Sequence, residues 1–150
     1  MTPAAAAAER LLCDTSFVGW SAKRTANPGR FTHWPAPVTD RIDQAILAIS
    51  VITLAEARFG YLHANWGAPR IAREEQRLAS FLQVPMDASI LDEWARLKNL
   101  SQRSGWSITD NDLWIAATAS TRGYPLVTCD SDQAHISDAN LTVLHLPPPG

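Results

Sequence analysis

The chain has 150 residues, 46% hydrophobic and 19% charged, with a formal net charge of −2 at pH 7. This length and balance fit one soluble globular domain with a full core, and they exclude a basic nucleic-acid footprint over the whole chain, though not a local patch. A run of about 18 apolar residues is missing, which excludes a membrane-spanning helix. The two cysteines, Cys13 and Cys129, are too few for a disulfide scaffold.

The Ala-rich start, residues 1–9, has no basic opening and no long apolar core. It reads as a flexible tail rather than a secretion signal, so reduced thiols in the cytoplasm are expected. Leu11 to Asp14 reads as a short buried strand, with Thr15-Ser16 as the N-cap of a following helix. Residues 27–37, with Pro28, Gly29, Pro35 and Pro37, read as a loop. Its Arg30, His33 and Trp34 would cover a core edge or touch RNA. Ile46 to Ile52 is a second strand, and Thr53 opens a helix to about Asn65. A charged helix over 70–83 follows, with apolar Ile71, Leu78, Phe81 and Leu82 at helical spacing. Val84 lies in a very short strand. Asp87 caps the next helix, which places Ile90, Leu91, Trp94, Leu97 and Leu100 on one face and ends at Gly105. The helix from Asp110 to Arg122 is apolar nearly all round and stops at Gly123 and Pro125. Leu126 to Cys129 and Leu141 to Leu146 are the last strands, before a tail at 147–150. Strands alternating with helices predict an α/β fold with a mainly parallel sheet and right-handed crossovers.

In such a sheet the strand C-terminal ends and the following helix N-termini form the ligand-binding edge. Acids stand at four of those positions: Asp14, Glu56, Asp110 with Asp112, and Asp130 with Asp132. Each has an ordinary alternative. Asp14 and Asp130 fit turns, Thr53-Leu54-Ala55-Glu56 fits a capping box, and Asp110 and Asp132 fit helix caps. Gathered at one edge, however, the acids repel one another unless a cation holds them, and Mg²⁺ or Mn²⁺ suits carboxylate oxygens. Asp14, Glu56, Asp112 and Asp130 are the candidate ligands. Thr128, Asp110 and Asp132 are candidate supporting groups. His33, His63, His135 and His145 show no metal-ligand spacing. Both cysteines read as small buried core residues.

These segments resemble the PIN domain, and within it the VapC ribonuclease toxins of type II toxin–antitoxin systems. The likeness runs over residues 10–146. It rests on Leu12-Cys13-Asp14-Thr15-Ser16, on Ile49 to Glu56 continuing to Gly60, on Asn111-Asp112-Leu113-Trp114-Ile115-Ala116-Ala117-Thr118-Ala119, and on Leu126 to Asp132. The resemblance implies a PIN-like α/β fold, a central mainly parallel sheet of four to five strands flanked by helices. It also implies that Asp14, Glu56, Asp112 and Asp130 bind Mg²⁺ or Mn²⁺, with Thr128 as a supporting hydroxyl. The implied activity is metal-dependent endoribonuclease cleavage of RNA, often tRNA or rRNA, by a metal-activated water. The implied partners are a VapB-like antitoxin and a second copy, as a homodimer or a toxin–antitoxin hetero-oligomer.

The chain departs from that pattern in three places. Gln133-Ala134-His135 replaces the aromatic residue usual after the last acids, the 27–37 loop is long, and the N-terminus is extended. A non-catalytic PIN-like module binding RNA or protein is the alternative. A flap nuclease on the same acids would need insertions for which 150 residues leave little room. An antitoxin is expected to insert an Arg or Lys among the acids, and Trp66, Trp94 and Trp106 are interface candidates.

Overall fold

A computed structural model describes residues 7–150. In chain order the elements are β1 (Arg10–Cys13), α1 (Thr15–Ala26), a 3-10 turn (Pro28–Phe31), α2 (Ala36–Gln44), β2 (Ile46–Ser50), α3 (Val51–His63) and α4 (Ala68–Ala79). There follow β3 (Leu82–Val84), α5 (Ala88–Ser104), α6 (Asp110–Arg122), β4 (Leu126–Thr128), α7 (Ser131–Ala134) and β5 (Val143–His145). The strands form one five-stranded sheet in the order β3-β2-β1-β4-β5, with every pairing parallel. The chain winds outward from β1 in one direction through β2 and β3, then returns to lay β4 on the other side of β1 and β5 beyond it. The crossing point lies between β1 and β4, where an open α/β sheet forms its crevice.

Strand alternation sends apolar residues to both faces, and each face carries its own core. Leu11, Cys13, Ile49 and Val127 pack with Phe17, Phe31, Trp34 and Leu78 on one side. Leu12, Ala48 and Leu126 pack with Ile90, Leu97, Leu113 and Ile115 on the other. Helix α6 buries Leu113, Ile115, Ala116, Ala117, Thr118 and Ala119, as its nearly all-round apolar sequence predicts. Gly105 and Gly123 end α5 and α6 in the left-handed conformation, at φ 68° and 69°, where a side chain would be strained.

Several sequence expectations are corrected. The 27–37 segment is not simply a loop: it holds the 3-10 turn and the start of α2, which buries only Ile42 and so leaves little apolar pattern to read. Its Trp34 is 4% exposed, covers the core edge, and donates through Nε1 to the Pro147 carbonyl at 2.7 Å. His33 Nε2 meets the same carbonyl at 2.9 Å, so residue 147 is held against the body. Strand β2 ends at Ser50, not Ile52, because the Ser50 hydroxyl accepts the Ile52 N–H at 3.0 Å and starts α3 there. Helix α4 stops at Ala79, and Leu82 belongs to β3. Leu91 is half exposed rather than on the core face of α5. As expected, both cysteines are small buried residues, and they share the first core, Cys13 on β1 and Cys129 just after the neighbouring β4. Both thiols are free and buried, and burial pushes each upward, Cys129 to about 12, leaving them unreactive.

Candidate active site

Asp14 follows β1 and is itself the N-cap of α1, a role the sequence reading gave to Thr15-Ser16. Its Oδ1 accepts the Phe17 N–H at 2.8 Å and the Ser16 hydroxyl at 2.7 Å, and its Oδ2 accepts the Thr128 hydroxyl. The residue is only 2% exposed. Burial pushes its carboxyl up to about 6, against the pull of those three bonds and with help from the charge on Asp112.

Glu56 lies in the second turn of α3, half-buried. The capping-box reading fails because α3 begins at Val51. Thr53 is buried inside the helix with its hydroxyl 3.1 Å from that of Thr15, and Glu56 Oε1 accepts the Thr15 hydroxyl at 2.8 Å. The carboxylate is therefore turned toward the start of α1 rather than back along its own helix.

Asp112 sits in the first turn of α6, whose N-cap is Thr109, not Asp110. The Thr109 hydroxyl accepts the Asp112 N–H at 3.2 Å. The Asp112 carboxyl is raised above the usual carboxylate range, chiefly by burial. Thr109 opposes that rise, while the charges of Asp130, Glu56 and Asp132 add to it. Asp130, after β4, is the N-cap of α7, the place the sequence reading gave to Asp132. Its Oδ1 accepts the Asp132 N–H at 2.9 Å, and its own N–H donates to Thr128 Oγ1 at 2.9 Å. Thr128, fully buried, thus ties Asp14 to Asp130.

The supporting acids stand further out. Asp110 is exposed and pairs with Lys98 at 2.6 Å, which neutralises it locally. Asp132 is exposed and reaches the others as a nearby negative charge. No Lys or Arg is among the main influences on Asp14 or Asp112. Yet among the described residues no three His, Cys, Asp or Glu side chains converge tightly enough to hold one ion as they stand. Like charges in one crevice repel, and the inward turn of Asp14 toward Thr128 and Phe17 keeps its oxygens occupied.

Three site residues escaped the sequence reading. Thr15 and Ser16 were taken for caps, yet their hydroxyls bind Glu56 and Asp14, and Ser16 Oγ also accepts the Cys129 N–H at 3.0 Å. Hydroxyls directly after a strand-end acid were the available signal. Gln133 was noted only as an unusual residue, yet it is wholly buried and its Nε2 donates to the Asp112 carbonyl at 3.0 Å. Elsewhere, Arg58 is taken up by Glu75 at 2.9 Å, and His63 stacks on Phe59. Of the three tryptophans named as interface candidates, Trp94 stacks on Trp114 with centroids 4.6 Å apart, Trp106 packs on the second core, and Trp66 lies under Arg70 at 3.6 Å.

Comparison with known proteins bears on the family and the fold. Ribonuclease VapC5 of Mycobacterium tuberculosis is 38% identical over 106 residues, covering 66% of this chain and 78% of that protein. Ribonuclease VapC4 of the same organism is 31% identical over 138 residues, covering 90% and 97%. The crystal structure of VapBC-5 from Mycobacterium tuberculosis, a member of the VapBC family of toxin–antitoxin systems, matches with a TM-score of 0.63 at 28% identity, over 91% of this chain and 98% of that one. The family model for the PIN domain matches residues 12–139, and with it the strands and helix starts that bear all four acids: the chain belongs to the PIN domain family.

Proposed function

We propose that this chain is a VapC-type endoribonuclease, dependent on Mg²⁺ or Mn²⁺, and the toxin of a VapBC-type pair. The observation that carries the reading is the gathering of acids at one sheet edge: Asp14 and Asp112 are both raised, chiefly by burial and further by neighbouring carboxylates, with no basic side chain among their main influences. Such a set is unfavourable by itself and favourable around a hard divalent cation, whose preferred donors are carboxylate oxygens and water. Asp14, Glu56, Asp112 and Asp130 would hold the ion. When bound, it would lower the pKa of a water and offset charge on the scissile phosphate.

The chain's own residues set the rest. Thr128, Ser16 and the Phe17 N–H aim the Asp14 carboxylate, and Thr15 aims that of Glu56 through Oε1. With Oε1 accepting the Thr15 hydroxyl, Glu56 Oε2 would be the oxygen it offers to the ion. Thr109 and Asp130 fix the starts of α6 and α7, so Asp112 and Asp130 approach on stiff backbone.

RNA as substrate, tRNA or rRNA being the class we favour, follows from the ribonuclease names of the relatives. A VapB-like antitoxin as partner follows from the VapBC-5 complex, and it would inhibit by placing a basic side chain among the acids. A homodimer or a toxin–antitoxin assembly in the cytoplasm completes the reading. Among the described residues no helix is long and apolar enough to cross a membrane. The purified protein should cut structured RNA with Mn²⁺ and stop with chelator. Undiminished cleavage by both Asp14→Asn and Asp112→Asn would sink the proposal.

One observation favours a second reading, a non-catalytic PIN-like module binding RNA or protein: the acids do not converge on a single point as placed. Titration calorimetry with Mn²⁺ separates the two. Heat that vanishes in Asp112→Ala supports the nuclease, and no heat in the wild type supports the module.

A further inference from the structure

Helix α7 has only four residues, yet it carries Asp130 at its cap and Asp132 in its first turn. Its third residue, Gln133, is 0% exposed. The Nε2 donates to the main-chain carbonyl of Asp112 at 3.0 Å, and among the described residues this is the one side-chain hydrogen bond joining α7 to α6. A carbonyl can only accept, so the amide is fixed with its nitrogen toward Asp112. Its Oε1 is then buried with no donor within reach among the described residues. A buried acceptor left without a donor costs more than one neutral hydrogen bond returns. The side chain is therefore poor as a stabiliser, and an apolar residue of similar size would serve the core as well or better.

Its position explains what it does instead. Asp112 and Asp130 repel each other, and they ride on separate elements, α6 and the β4–α7 junction. Thr128 ties Asp130 to Asp14, and among the described residues Gln133 alone ties the Asp130 segment by a side-chain hydrogen bond to the backbone of Asp112. The main-chain bonds Ala134 N–H to Asp130 O at 3.1 Å and Ile136 N–H to Gln133 O at 3.3 Å, with Ile136 buried in the core, keep α7 from yielding.

We propose that Gln133 is a positioning residue that sets the spacing between the Asp112 and Asp130 carboxylates for a divalent cation held between them. This rests on the nuclease reading above. Side chains that orient metal ligands typically change metal affinity by about 10- to 100-fold when lost.

The test uses the full chain as Gln133→Leu and Gln133→Met, with three readouts: the thermal midpoint in chelator, the Mn²⁺ affinity by calorimetry, and kcat and KM on one RNA oligonucleotide. The expected result is a midpoint equal to or above wild type, Mn²⁺ binding weakened by about 10-fold or more, and kcat lowered with KM within about twofold. A lowered midpoint with unchanged Mn²⁺ affinity would make Gln133 a structural residue and overturn the inference, as would wild-type affinity and kcat in both variants. If wild type itself neither bound Mn²⁺ nor cut RNA, the nuclease reading would fall and this inference with it.

Discussion

Replacing Asp14 with Asn should stabilise the metal-free protein while abolishing cleavage. The carboxyl is buried, and its pKa stands at about 6 against an ordinary value of 3.8. That difference corresponds to about 3 kcal/mol spent on keeping the group charged at neutral pH. The folded chain holds this proton more tightly than the unfolded chain. The stabilisation is therefore fully present below about pH 3.8 and lost as the pH rises through about 6. Asn carries no charge and keeps an oxygen for the Phe17 N–H, but it forfeits the stronger bonds a carboxylate makes with Thr128 and Ser16. The net gain at pH 7.5 in chelator should be about 1–3 kcal/mol, a rise in midpoint of about 3–10 °C for a chain of this size. At pH 4 the gap should close to under about 1 kcal/mol. Glu9, Glu75, Asp87 and Asp138 are held below the usual range by arginines and pull the other way on acidification. Hence the informative quantity is the difference between the two proteins, read by circular dichroism at each pH. Excess Mn²⁺ should then raise the wild-type midpoint and leave the variant nearly unmoved. A variant that melts below wild type at pH 7.5, or a difference that ignores pH, would refute the reasoning.

Three further outcomes are expected. Asp112→Asn should lower the cleavage rate by more than about 100-fold, whereas Asp110→Asn, whose carboxylate is exposed and occupied by Lys98, should stay within about threefold on the same RNA. Asp87→Ala removes the N-cap of α5 and the partner of Arg122, and urea unfolding should show a lower midpoint with cleavage unchanged once folded. Trp34→Phe keeps an aromatic ring in the core but deletes the donor to Pro147, so limited proteolysis should reach residues 147–150 sooner with the melting midpoint lowered by only a few degrees.

Much of the architecture was legible because burial writes itself into sequence. The apolar run of α6 could belong only to a buried helix, and the short runs ending at Asp14 and Asp130 could belong only to shielded strands. What stayed hidden was decided by tertiary contact. At Asp14-Thr15-Ser16, at Ser50 and Thr53, at Thr109-Asp110 and at Asp130-Ser131-Asp132, capable caps stand within three residues of each other. Which one caps depends on where the sheet releases the chain. Glu56 shows the consequence. Once Ser50 takes the cap, Glu56 is free to face Thr15, so the residue whose local pattern argued most strongly for an ordinary role is released from it. Helix α2 was missed because only Ile42 is buried along it, and Gln133 because nothing in a polar residue's neighbours announces that it will be enclosed.

The place of β1 in the sheet bears on how this site can be switched. β1 has β2 on one side and β4 on the other, and the amides of Leu12 and Asp14 are bonded to Pro125 and Val127 at 2.9 and 3.0 Å. Amides of that kind exchange with solvent only when the whole domain opens, unlike those of edge strands and chain ends. Asp14 and Asp130, which directly follow β1 and β4, are thus expected to be anchored to slowly exchanging backbone. On the proposed reading, a regulator would then act by competing for the carboxylates themselves, and control would be a matter of occupancy and of the relative concentrations of the binders.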